Sequence, residues 1–120
     1  MKLKFICGVL LLCLMMCCER ALPTIDGLNV EQWKDDKNGC KGARLSMRKS
    51  IEEQKAKLQG LSETQVVKLL GRPDQNELYK RNQKFFFYWI AGPECSTDST
   101  KVKLGIRFTA MGFAKEISFD

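Results

Sequence analysis

The chain contains no histidine. That absence removes the imidazole base of Ser-His-Asp and Cys-His catalytic pairs, the His ligands of a zinc site, and the side chain that titrates near neutral pH when unperturbed. There is no C-x-x-C pair, the usual form of a catalytic dithiol. The longest apolar run, Phe5 to Cys18, has 14 residues, short of the roughly 20 that a membrane-spanning helix needs. Beyond it no basic cluster is interleaved with aromatic residues, so nucleic acid is not an expected partner. The carboxylates available for acid–base work, Glu52, Glu53, Asp74, Glu94 and Asp98, sit in no recognisable catalytic motif. Surface positions are expected for them, with Asp74 bracketing the turn after Pro73. No catalytic, cofactor-binding or metal-binding residue is assigned, and enzymatic function is not expected.

What is present fits one small domain. The chain has 120 residues, and its 28% charged and 44% hydrophobic content is that of a globular rather than a disordered protein. A net charge of +6 allows an acidic or anionic partner. Six cysteines suggest a disulfide framework or a metal site, but four of them, Cys7, Cys13, Cys17 and Cys18, fall in the first eighteen residues.

That segment reads as an export signal. Lys2 and Lys4 supply a positive start, and the apolar run that follows has the length of a signal core of about 7–15 residues, with no amphipathic stripe. Its end, Leu14-Met15-Met16-Cys17-Cys18, resembles a bacterial lipoprotein signal, in which the mature chain starts at a lipidated cysteine. Leu14 is correctly placed for Cys17, but Met16 stands where a small residue is usual. Cys18 has the small Cys17 before it but Met15 at the third position back. Lipidation at Cys18 or Cys17 is favoured, and cleavage near Ala21 to give a soluble secreted domain is the alternative. Removing residues 1–17 takes away Lys2 and Lys4 and lowers the net charge to +4.

Cys40 and Cys95 then remain. Oxidising conditions outside the cytoplasm make a disulfide the default, and a bridge closing a loop of this length contributes on the order of 4 kcal/mol in the chain-entropy model. Each cysteine follows loop-forming residues, Asn38-Gly39 and Gly92-Pro93. Two free thiols are the alternative.

Residues 19–30, with Pro23 and Gly27, read as a tether, and 31–120 as the domain. Val30 to Asp36 is expected to form a short helix with Trp33 facing inward. Gly42 to Leu58 is expected to be helical, with Ala43, Met47, Ile51 and Leu58 on the buried face and Arg44, Arg48, Lys49, Glu52, Lys55 and Lys57 on the other. A break near Ser50 would follow if Ser50 and Glu53 form an internal capping box. In Gly60–Asp74 every local signal agrees. Ser62 is the N-cap, Gln65 its capping-box partner, Leu61 and Val66 a hydrophobic staple, Gly71 a left-handed C-terminal residue, and Pro73 a stop. The period then becomes extended. Strands are expected at Glu77–Tyr79, Lys84–Ile90, Val102–Thr109 and Phe113–Phe119, the last with Phe113, Ile117 and Phe119 on its apolar face. Helices followed by antiparallel strands imply an α+β layer, with two or three helices on one face of a three- to four-stranded meander.

The strand Lys84–Ile90 is apolar on both faces. Phe85, Phe87 and Trp89 point one way, and Phe86, Tyr88 and Ile90 the other. One set packs under the helices. The other is either covered by the tether or the Gly92–Lys101 loop, or left as an aromatic partner surface drawn from Phe85, Phe86, Phe87, Tyr88 and Trp89.

The constellation L-x-G-L-S-x-x-Q-V-x-x-L-L-G-x-P-D from Leu58 to Asp74, followed by Phe87-Tyr88-Trp89 and by Phe108 to Gly112, resembles the SmpA/OmlA domain of small outer-membrane assembly lipoproteins (BamE-like). The resemblance covers about Gln59–Phe119. It implies two helices on a three-stranded antiparallel sheet, a fold also used by secreted protease- and β-lactamase-binding modules. The Trp33, Cys40 and Arg44–Leu58 region is not part of that pattern. Together these readings describe an exported, lipid-anchored, non-catalytic binding module of the cell envelope. It would face the periplasm or sit on the outer membrane, with envelope protein as its partner. A soluble secreted inhibitor-like domain is the alternative, and a small secreted hydrolase ranks last.

Overall fold

Residues 21–79, 82–95 and 101–120 are described by a computed structural model. Among them, three α-helices precede four strands: α1 (Val30–Asp35), α2 (Ala43–Glu53), α3 (Glu63–Leu70), β1 (Gln75–Tyr79), β2 (Gln83–Ala91), β3 (Val102–Phe108) and β4 (Ala114–Phe119). The strands form one antiparallel sheet in the order β1-β2-β3-β4, with the helices packed on one face, so the fold is α+β as expected. Short 3-10 turns at Lys37–Gly39 and Lys55–Leu58 follow α1 and α2. No helix among the described residues is long and apolar enough to cross a membrane. The signal segment and the candidate anchors Cys17 and Cys18 lie outside the described residues.

The core forms where the helix stripes meet the inner sheet face. Trp33, Met47, Ile51, Leu58, Val66, Leu69 and Leu70 pack against Phe86, Tyr88, Ile90, Leu104, Ile106, Phe108 and Ile117. Helix α3 has the predicted ends. The Ser62 hydroxyl accepts from the Gln65 amide at 3.2 Å, and the Gln65 side chain accepts from the Ser62 amide at 2.9 Å. Gly71 ends the helix at φ 80°, ψ −173°. This is the extended positive-φ region used almost only by glycine, and not the expected left-handed helical region.

Three further expectations change. The helix after Gly42 breaks at Gln54 rather than near Ser50. The segment read as a tether joins the domain, because Ile25 is buried in the core and the Gln54 side chain clasps the Asp26 backbone from both sides, at 3.0 and 2.8 Å. Phe113 is 48% exposed, while Ala114 is buried beside Ile117. A bulge causes this inversion. Arg107 pairs with Glu116 but Phe108 pairs with Ala114, so Lys115 is an extra residue and the alternation slips by one.

The disulfide is Cys40–Cys95, with Cα atoms 5.1 Å apart. It ties the 3-10 turn after α1 to the chain leaving β2. Backbone contact is close there. A side chain at Gly39 would strike the Ile90 carbonyl at 2.5 Å.

Candidate functional site

Of the aromatic residues expected to share a partner surface, the structure divides the set. Phe86 and Tyr88 face the helices and are buried with Ile90. Burial keeps the Tyr88 phenol protonated well above its usual range, with the nearby Asp74 charge adding to the effect and the Arg44 guanidinium opposing it. Its hydroxyl donates to the Gly71 carbonyl at 2.8 Å. Tyr88 and Phe86 are therefore core residues, not partner residues, because strand alternation sends them inward.

Phe85, Phe87 and Trp89 stand outside the core cluster, on the sheet face away from the helices. The β1–β2 register brings Tyr79 to this face, since Glu77 lies opposite Phe85 and Tyr79 opposite Gln83. The result is an aromatic row. Tyr79 meets Phe85 edge-on at 4.9 Å between centroids, and Phe85 stacks on Phe87 at 5.7 Å with 11° between planes. Tyr79 is 51% exposed, and Phe85 and Trp89 are partly exposed. Phe87 is only 7% exposed because its ring lies over Gly105, directly opposite it on β3. A side chain at Gly105 would press on that ring at 3.2 Å.

A cation completes the row. Lys103 pairs with Trp89 across β2–β3, and its ammonium sits 4.2 Å from the Phe87 centroid and 5.5 Å from that of Trp89. Such contacts are worth roughly 0.5–1 kcal/mol at exposed positions. Asp120 lies directly opposite Lys103, the two exchanging backbone hydrogen bonds at 2.9 and 3.0 Å, and two further polar contacts lie on this face. Arg107 bonds Glu116 at 3.1 Å, and the Tyr79 hydroxyl donates to Glu77, which raises the Tyr79 pKa. Tyr79 and Lys103 carried no motif in the sequence. Only the hairpin register places them beside Phe85, Phe87 and Trp89.

The expected cover for this face is settled in part. Ile25, Leu28 and Val30 of the supposed tether pack into the core on the helix side. Residues 96–100 of the Gly92–Lys101 loop, including the candidate acid Asp98, lie outside the described residues. Glu52, Glu53 and Glu94 are exposed. Among the described residues, no group of three or more Cys, Asp or Glu side chains is placed to hold a metal ion.

Asp74 overturns its expected surface position. Its side chain is 4% exposed and lies 2.7 Å from Arg44, which is 1% exposed and was expected on the polar face of α2. The same carboxylate accepts from the backbone amides of Trp89 at 2.7 Å and Asn38 at 3.3 Å. The Arg44 guanidinium also donates to the Trp33 and Trp89 carbonyls and lies over the Trp33 ring. Every charge is partnered, so this node positions α1, α2 and β2 and sets the strand that carries the aromatic row.

Searches of protein-family models, of curated proteins and of solved structures find no match to this chain. The geometry of the site is therefore the ground for a functional reading.

Proposed function

We infer that the chain is an exported, lipid-anchored, non-catalytic binding module of the cell envelope, and that it docks protein through the outer sheet face. One observation carries the docking reading. An aromatic row of Tyr79, Phe85, Phe87 and Trp89 lies on the sheet face opposite the helices. Large aromatic side chains there are costly to leave facing water and are the residue types that anchor protein interfaces. The signal-like start and the SmpA/OmlA-like motif support export and attachment to the envelope. The dispersed carboxylates and the absence of histidine support a non-catalytic role.

If Cys18 is the anchor, the domain stays near the membrane. Ile25 is already part of the core, so seven residue steps separate anchor and domain, a reach of at most about 25 Å. The partner would then be met at the membrane surface.

Two experiments test this reading. Mass analysis of the mature N-terminus should find a lipidated Cys18 or Cys17. A chain starting unmodified after Ala21 would refute the anchor and favour the soluble secreted alternative. Crosslinking in the native envelope should recover a specific protein, with recovery lost in Trp89→Ala and Phe85→Ala. Truncating an aromatic anchor typically costs about 2 kcal/mol of binding. Unchanged recovery with both variants would remove the face from the interface.

A further inference from the structure

We propose that the domain dips one end of its sheet, the end of β1 and the β3–β4 turn, into the interfacial layer of the membrane that holds its anchor. This rests on the reading of Cys18 or Cys17 as lipidated and says how the domain stands on that membrane. Leu78 is 73% exposed, Tyr79 51%, Met111 82% and Phe113 48%. They are four of the six exposed large hydrophobic side chains among the described residues, and the sheet brings all four to one end. Leu78 pairs with Lys84 on β2, Lys84 pairs with Phe108 on β3, and the β3–β4 turn follows Phe108 directly.

The chain toward the anchor leaves from the same end. Arg44, in the first turn of α2, bonds the Trp89 carbonyl near the far end of β2. Helix α2 runs back from there to Gln54, whose side chain holds the Asp26 backbone. Lys57, in the 3-10 turn that follows, donates to the Thr24 carbonyl at 3.0 Å. Gly60 and Leu61 then bond Ala114, the first residue of β4, at 2.8 Å each. Residues 24–26 therefore sit at the end of the domain that carries the β3–β4 turn, and Ile25 is at most about 25 Å of chain from Cys18. Leu22, 38% exposed, lies on that connecting chain. Leu45, the sixth exposed large hydrophobic residue, sits in the first turn of α2 at the opposite end.

The local chemistry suits a bilayer interface. Within the turn the Gly112 amide donates to the Thr109 carbonyl at 2.9 Å and the Thr109 amide to the Phe113 carbonyl at 2.8 Å, so these donors lose little when they leave water. Tyrosine is a residue type of that interface, where the ring is buried and the hydroxyl stays wet. Met111 projects from a convex turn, and deformable lipid complements such a tip without a preformed pocket. The charges at this end have both signs. Lys84 is paired with Glu63 at 2.6 Å, and the exposed Lys57 and Lys115 stand against the exposed Glu53 and Glu77. Insertion therefore rests on the apolar side chains, and lipid without net charge should suffice.

The test uses the whole exported chain, oxidised and carrying its anchor, reconstituted on phosphatidylcholine vesicles whose acyl chains are brominated near the headgroup. Met111→Trp, Leu78→Trp and Leu45→Trp are compared, with the emission of the parent chain subtracted, and circular dichroism checks the folding of each. Met111→Trp and Leu78→Trp should shift to the blue and lose emission to the bromines. Leu45→Trp should emit as in water and lose emission only to aqueous iodide. A chain that neither pellets with the vesicles nor carries lipid at its N-terminus would overturn the anchor and this proposal with it. An anchored chain whose tips are quenched by iodide and not by bromine would overturn the proposal and leave the anchor standing. Tips shielded from both quenchers would show that protein, a partner or a second copy, covers them, and would also overturn it. Equal bromine quenching at all three positions would mean that no end of the domain is turned to the membrane, with the same result.

Discussion

Arg44 and Asp74 form a buried ion pair at 2.7 Å that joins the first turn of α2 to the turn before β1. Removing one member strands the other charge out of water. Arg44→Met should cost about 3–5 kcal/mol, read as a fall in the urea midpoint at unchanged slope. Asp74→Asn should also destabilise, because the carboxylate holds two backbone amides besides the guanidinium. The double variant should lose less than the two single losses combined, by about 1 kcal/mol or more. Strict additivity would show that the two side chains are not energetically coupled.

This pair also marks where the sequence was legible and where it was not. Signals confined to one element were readable, as in Ser62 and Gln65 at the start of α3, Gly71 and Pro73 at its end, and the apolar period of β3. Arg44 was misassigned because helical period puts it off the Met47–Ile51 stripe. Its burial depends on Asp74, thirty residues away, and on the Trp33 and Trp89 carbonyls. Ala114 was misassigned because the bulge at Lys115 exists only in the pairing with β3. The doubly apolar β2 was visible, but which face opens depends on where the helices dock. Tyr79 and Lys103 joined the site through strand register alone, a long-range property that no local motif records.

Gly71 carries a conformational demand that any other residue should fail. Its φ of 80° with ψ of −173° is closed to side chains, and an added Cβ would also meet Lys34 Cγ at 3.0 Å. Its amide donates to the Val67 carbonyl and its carbonyl accepts from Tyr88, so the backbone is held there from both sides. Gly71→Ala should destabilise by about 1–3 kcal/mol, seen as a lower thermal midpoint. A midpoint equal to that of the parent would mean that the turn relaxes freely.

The disulfide and the Arg44–Asp74 node restrain the same junction. Cys40–Cys95 ties the turn after α1 to the end of β2, and Asp74 holds Asn38 and Trp89 in the same two segments. The double variant Cys40→Ser, Cys95→Ser should therefore still fold, with near-ultraviolet circular dichroism retained at 25 °C, yet lose about 2–5 kcal/mol in denaturant titration. Adding Arg44→Met to it should abolish the native signal. A fully reduced chain that is already unfolded without Arg44→Met would show that the node alone cannot hold the junction.

Asp35 and Lys41 give a pH test with a defined sign. Their side chains meet at 2.7 Å on the surface. The hydrogen bond and charge of Lys41 lower the Asp35 pKa from 3.8, and the same contact raises Lys41 from 10.5. A carboxyl lowered on folding stabilises the native state above its unfolded value, and that contribution is lost as pH falls through the lower native value. An ammonium raised on folding stabilises below its unfolded value, and its contribution is lost as pH rises through the higher native value. The pair is therefore fully formed between about 4 and 10 and weakens outside that window. Carboxyl NMR titration should place Asp35 below 3.8 in the parent chain and return it toward 3.8 in Lys41→Met, which leaves the Lys41 backbone bond to Asp36 intact. Added salt should shrink the parent shift, because both groups are exposed. An Asp35 pKa that does not respond to Lys41→Met would assign the shift to another cause and remove the pair from the pH dependence of folding.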